Sequence, residues 1–140
     1  MSEEKSSESL NLKVLTPDGP VLEGEVSEVT LPGANGEMGI FPQHAALLTG
    51  IVPGRLAYRA PDGNDTAALG RGVAEVQNNE VRVLVDSAIL KEELDLPALE
   101  GQRKELLDKI DRETHAEKIT EFEKELVFID VQVSVARGEE

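Results

Sequence analysis

Residues 31 to 54 carry five glycines and three prolines in 24 positions, with one acid, Glu37, and one histidine, His44. Each proline fixes a backbone direction and each glycine opens directions closed to other residues. A loop that specifies its own path this heavily is shaped for a ligand, a partner or a tight return between sheets. The plain alternative is a pair of strand connections in an all-β domain.

The flanking residues favour strands. Leu10, Leu12 and Val14 alternate with polar positions, and Pro17-Asp18-Gly19 is a turn. Val21 to Leu31 reads as extended, and Leu47 to Val52 as a buried strand. Gly54 to Ala60 and Asp65 to Arg71 flank Pro61-Asp62-Gly63-Asn64, a hairpin turn. Ala74 to Gln77 and Val81 to Val85 flank a second turn, Asn78-Asn79, with Val81, Val83 and Val85 on one face. Short strands at this spacing predict a sandwich or flattened barrel over residues 10–86.

The period changes after Asp86. Asp95 is placed to N-cap a helix with Pro97 in its first turn. Leu99, Leu106, Leu107 and Ile110 form one stripe, a break falls near Asp111 to His115, and Ile119, Phe122, Leu126, Ile129 and Val133 form a second. The two helices would pack as an antiparallel hairpin over 95–140, after a linker at 87–94 and with residues 1–9 as a polar tail. The class is therefore α+β, a β-sandwich followed by a two-helix hairpin. Val127, Ile129, Val131, Val133 and Val135 conflict with this by alternating like a strand. The seam running through Ile129 and Val133 favours helix.

Composition narrows the function. The net charge is −14, from 28 acids and 14 bases. That argues against nucleic acid or an anionic lipid surface as partner. The only aromatics are Phe41, Tyr58, Phe122 and Phe128, too few for a stacking platform. There is no cysteine, hence no disulfide or thiolate metal site. No segment reads as a signal peptide or membrane span, so the chain is expected to be soluble and intracellular. His44 and His115 lie in no metal-ligand spacing, and no nucleophile-elbow, phosphate-loop or dinucleotide pattern appears. Gly70-Arg71-Gly72 is too short to cradle a phosphate and marks a bend. His44 with Glu37 is the one conceivable acid/base pair, and a structural or interface histidine is the simpler reading. No catalytic residue, metal or cofactor is expected.

The run Gly36-Glu37-Met38-Gly39-Ile40-Phe41-Pro42-Gln43-His44-Ala45, followed by Leu47-Leu48-Thr49, resembles the signature loop of the epsilon subunit of F-type ATP synthases of bacterial type. That loop typically reads Gly-Glu-Leu-Gly-Ile-(Leu/Tyr)-Pro-Gly-His-Ala-Pro-Leu-Leu-Thr. Pro53-Gly54, Gly72-Val73-Ala74-Glu75-Val76 and Val81 to Ala88 extend the resemblance over about residues 10 to 136. It implies a non-catalytic rotor component of the central stalk. Such a subunit is bound to the gamma subunit, rests on the c-ring and couples proton flow to ATP synthesis. It lies peripherally on the cytoplasmic face of the bacterial plasma membrane. The helical hairpin would extend toward the alpha and beta subunits to restrain ATP hydrolysis. A sandwich pinned by Gly/Pro turns suits torque transmission. A hairpin held by fewer than a dozen apolar side chains can detach at moderate cost.

By the same resemblance, Glu37, Met38 and His44 belong to the c-ring-facing loop, with Met38 and Ile40 packed beneath it. Gln43 replaces the usual Gly and Ala46 the usual Pro, so the loop is expected to be shaped differently. Relatives that bind ATP use (Ile/Leu)-Asp-x-x-Arg-Ala in the hairpin. This chain keeps Asp95 as a remnant but has Ala98 in place of the Arg, which implies weak or no ATP binding. From Thr114 to Glu140 three basic residues stand against seven acidic ones, so docking on an acidic partner would be opposed. The rival readings are a generic protein-binding β-module and a small hydrolase using His44 and Glu37.

Overall fold

The computed structural model describes residues 9–139. The expected tail at 1–9 lies outside the described residues except for Ser9, whose hydroxyl donates to Glu25 (2.6 Å). Ten strands form a sheet that wraps into a nearly closed sandwich: β1 (Leu10–Thr16), β2 (Gly19–Val26), β3 (Glu28–Gly33), β4 (Gly36–Ile40), β5 (Leu47–Ile51), β6 (Gly54–Ala60), β7 (Gly63–Leu69), β8 (Gly72–Gln77), β9 (Glu80–Val85) and β10 (Ala88–Leu90). The spatial order is β10-β7-β6-β3-β5-β8-β9-β1-β2, with β4 on the other side of β3. The sheet curls until β2 approaches β6 and β10.

Alternation decides which side chains enter. Leu10, Leu12 and Val14 of β1 and Val81, Val83 and Val85 of β9 all point inward and are buried. β1 and β9 run parallel, with Leu12 opposite Val81 and Val14 opposite Val83. Leu31, Ile40, Ile51, Leu56 and Leu69 complete an aliphatic core. Each buried branched side chain stabilises the fold by about 1.5–3 kcal/mol.

The turns follow local chemistry. Ala60 pairs with Gly63 and Gln77 with Glu80, so both hairpins turn on two residues. The first is tighter than the four-residue turn expected, because β7 starts at Gly63 rather than Asp65. Asn78 and Asn79 have φ of 52° and 61°, the positive pair that a right-twisted two-residue hairpin needs. The Gly70–Gly72 bend is tied by Arg71 N–H donating to Asp86 Oδ1 (3.1 Å). A β-carbon on Gly72 would strike the Leu84 carbonyl. The segment 87–94, expected as a linker, carries β10 and a short 3-10 turn at Lys91–Glu93. β10 pairs with β7 through Ala88–Leu90, so a cut after Asp86 would strip β7 of its outer neighbour.

Two helices follow, α1 (Leu96–Arg112) and α2 (Ala116–Arg137). Asp95 caps α1, its carboxylate accepting from Ala98 N–H (3.2 Å). Gly138 closes α2 in the left-handed conformation, φ 75°. The break falls at residues 113–115, where Glu113 accepts from the N–H groups of Thr114 and His115 and from His115 Nδ1 (2.9–3.1 Å). Those bonds hold the Glu113 carboxyl below its ordinary value, with the His115 side chain as the largest cause.

α2 is helical through the alternating stretch. Successive helical residues turn by about 100°, so positions two apart lie on opposite sides. Val133 turns toward α1 and Val135 toward the sheet, and both are buried. From Ile129 to Val135 the alternation marks a helix with two covered sides; Val127, at its start, is 46% exposed. α2 packs on β7 and β6. Ala68, outward on β7 and outside the sandwich core, is fully buried beneath it. Leu107, expected in the α1 stripe, is instead 40% exposed. The hairpin therefore lies folded against the sandwich.

Val135→Asp should free the hairpin alone: proteolysis should cut α1 and α2 quickly while the sandwich survives. Acidification through the ordinary carboxylate value of 4.5 should loosen the 113–115 turn. A lowered carboxyl adds stability above its unfolded value and loses it as pH falls through its folded one. Hydrogen exchange at Thr114 and His115 against pH checks the sign.

Candidate interface

β4 determines where the loop residues point. Glu37 pairs with Pro32, and Met38 with Leu31. Adjacent strand residues face opposite ways, so Glu37 is outward and exposed while Met38 is half-buried against the core. His44 lies beyond the far end of β4 in the 41–46 connection, half-buried, with Nδ1 2.8 Å from the Ala45 carbonyl. The three residues do not converge. No hydrogen bond or ion pair joins Glu37 to His44 among the described residues, and the acid/base pair does not form. Tyr58 supplies no base either: burial first, then Asp65, Asp62 and Glu92, push its phenol up, so it stays protonated at neutral pH. Among the described residues no group of three His, Cys, Asp or Glu could hold a metal ion.

The 41–46 connection passes through a backbone conformation that glycine adopts most easily. Gln43 has φ 66°, the left-handed region. That conformation is stabilised from outside, by Gln43 N–H donating to Asn79 Oδ1 (2.5 Å) in the β8–β9 turn. The Asn79 carbonyl in turn accepts from Asn11 N–H (2.8 Å) at the start of β1. The substitution is absorbed as strain of about 1–2 kcal/mol. Phe41, beside it, is 53% exposed.

A second surface escaped the sequence reading. Leu48, expected to be buried within β5, is 73% exposed. It pairs with Glu75, whose outward position fixes Leu48 on the same face. Val73 and Leu84 pair directly across β8 and β9, each nearly half exposed. Leu84 also pairs with Leu15 of β1. Val73, Leu84 and Leu15 form an apolar stretch on the outer face of β8, β9 and β1, and Leu48 on β5 stands beside the Glu75–Arg82 ion pair (3.8 Å) on the same face. The signal was present: Leu84 is apolar at an outward position in a strand whose inward positions are all valine.

The comparisons with known proteins agree with this architecture. Residues 9–91 match the family model described as ATP synthase, Delta/Epsilon chain, beta-sandwich domain. The ATP synthase epsilon chain of Geotalea daltonii is 36% identical over 135 residues, covering 94% of this chain and 98% of that relative. The chain belongs to the ATP synthase epsilon chain family. The epsilon chain of Geotalea uraniireducens is 37% identical over 131 residues, covering 91% of this chain and 95% of its own. A cryo-EM structure of the Euglena gracilis mitochondrial ATP synthase, OSCP/F1/c-ring, contains a chain that superposes with a TM-score of 0.78 at 22% identity. That match covers 93% of this chain and 82% of the other, and shows a shared fold. The family places this chain in the F-type complex, in the central stalk, and makes ATP synthesis and ion transport its context. No helix of the described residues is long and apolar enough to cross a membrane.

Gln43→Gly should relieve the loop and raise stability by roughly 0.5–1 kcal/mol, the gain being reduced by the freer unfolded chain. Urea denaturation reads it; a loss of stability would show that the Gln43 side chain holds the loop.

Proposed function

We propose that this chain is a non-catalytic rotor subunit. It binds the gamma subunit through its sandwich, meets the c-ring through the exposed loop region, and couples proton-driven rotation to ATP synthesis. It works from the cytoplasmic face of a bacterial plasma membrane. The observation that carries this reading is the apolar stretch Leu15, Leu84 and Val73, with exposed Leu48 on the same outer face of the sandwich. Such a stretch is a ready contact for a protein partner. Gamma is the partner this reading assigns to it. Glu37, outward on β4 and without an ion-pair partner among the described residues, is free to meet a basic residue of the c-subunit polar loop.

The hairpin supplies weak restraint of hydrolysis. Folded down, it leaves the alpha and beta subunits untouched; extended, it offers them a helix rich in acids. Glu121, Glu123 and Glu125 are all exposed and oppose docking on an acidic partner. ATP has little to hold it, because Ala98 lacks the motif guanidinium and the Asp95 carboxylate is engaged in capping α1.

Capture on immobilised gamma subunit tests the main contact. Wild type should bind, and the Leu48→Glu/Leu84→Glu pair should lose at least about tenfold in affinity, as burial of unpaired charge costs well over 1.4 kcal/mol. Undiminished capture would move gamma to another face. In reconstituted enzyme, lysine at positions 121, 123 and 125 together should strengthen ATPase inhibition; unchanged hydrolysis would remove charge as the reason for weak restraint.

A further inference from the structure

Two cations, Lys91 and Arg55, border the C-terminal end of α2. Lys91 follows β10 in the 3-10 turn, and its Nζ stands 3.5 Å from where a β-carbon on Gly138 would lie. Arg55 sits on β6 directly opposite Ala68, the residue that α2 covers. It borders two grooves: one of about 480 Å³, shared with Ser134, Val135 and Glu139, and one of about 460 Å³, shared with Lys91. Neither cation has an ion-pair partner among the described residues. Arg59, Arg82, Arg103 and Arg137 each have a carboxylate within 4 Å. With 28 acids to 14 bases, carboxylates are not scarce in this chain. Lys13, Arg71, Lys104, Lys109, Arg112, Lys118 and Lys124 also lack such a partner among the described residues, so it is the placement of Arg55 and Lys91 at one helix end that calls for a local reason.

The helix supplies one. Gly138 N–H and Glu139 N–H take up the carbonyls of Val135 and Ser134. The last turn still presents the negative end of the helix dipole. Glu139, whose carboxylate stands 3.8 Å from Arg137, also lines the Arg55 groove. We propose that Arg55 and Lys91 form a basic seat for the C-terminal end of α2 and set the balance between the folded and released hairpin. They are positioning residues: they border the helix end, and through it they bias where the whole hairpin lies. The apolar contact of Val135 with the sheet gives the docked state its place, and the seat gives it dependence on charge. Anions or salt that screen the seat favour release. This rests on the reading of the hairpin as a releasable element.

The test uses the full-length chain alone. Hydrogen exchange is followed at the α2 amides from Val127 to Arg137, with β9 amides Val81 to Val85 as the internal standard. Arg55→Gln and Lys91→Gln should each speed α2 exchange about two- to fivefold, and Arg55→Glu/Lys91→Glu together by more than about tenfold, with β9 unchanged. Arg55→Lys and Lys91→Arg should keep wild-type protection. Raising salt from about 50 mM to about 500 mM should weaken α2 protection in the wild type and leave the doubly neutral variant unmoved. Unchanged α2 exchange in the reversed pair overturns the seat, as does equal loss in the Lys/Arg swaps. If charge reversal also speeds β9, the wild-type salt dependence decides, and salt-independent protection overturns the seat. Gamma capture run on the same variants separates the two ideas. Capture with unmoved α2 exchange removes the seat alone, and failure of wild-type capture removes the rotor reading.

Discussion

The parallel contact between β1 and β9 is what the rest of the molecule depends on. Leu10, Leu12 and Val14 meet Val81 and Val83 at the inner face of that pair, joining the first strand of the domain to one of its last. β2 hangs from the outer side of β1, and β8 and β5 follow from β9. Removing a large aliphatic here would cost about 2–5 kcal/mol and open the seam that joins β1 and β2 to the rest of the sandwich. The loop surface inherits its rigidity from the same place. Gln43 is bonded to Asn79, and Asn79 to Asn11 at the start of β1, so the outermost connection is two hydrogen bonds from the central pair.

Most of this was legible in the residues because period and turn chemistry agreed. The β9 valines, the Asn-Asn turn and the Asp95 cap each have a local cause that no tertiary contact opposes. Leu48 was misjudged because an apolar run of six residues says nothing about which face is covered; the register against Glu75 decides that, and register is non-local. Leu107 failed for a similar reason, since a stripe four residues wide exceeds the width of one neighbouring helix. β10 was hidden in what read as a linker because three residues carry too little pattern to announce a strand.

The candidate site was less legible than the fold. Sequence resemblance grouped Glu37, Met38 and His44; β4 turns Glu37 outward and Met38 toward the core, and His44 lies beyond the end of the strand. The hairpin shows the reverse case. Its alternating valines looked like a contradiction, and the contradiction disappears once the helix is seen to have two covered sides. Ala68 is small because a helix lies on it; a larger side chain there would hold the two apart.

The β1–β9 pair also orders events during synthesis. Sixty-nine residues separate Asn11 from its partner Glu80. At about 5–20 residues per second, the first strand waits roughly 3–14 s on the ribosome before its parallel neighbour exists. Until then β1 has only β2, a hairpin too small to be stable by itself. The sandwich closes late and at one stroke, and the hairpin, made last, reaches a seat that has only just been finished.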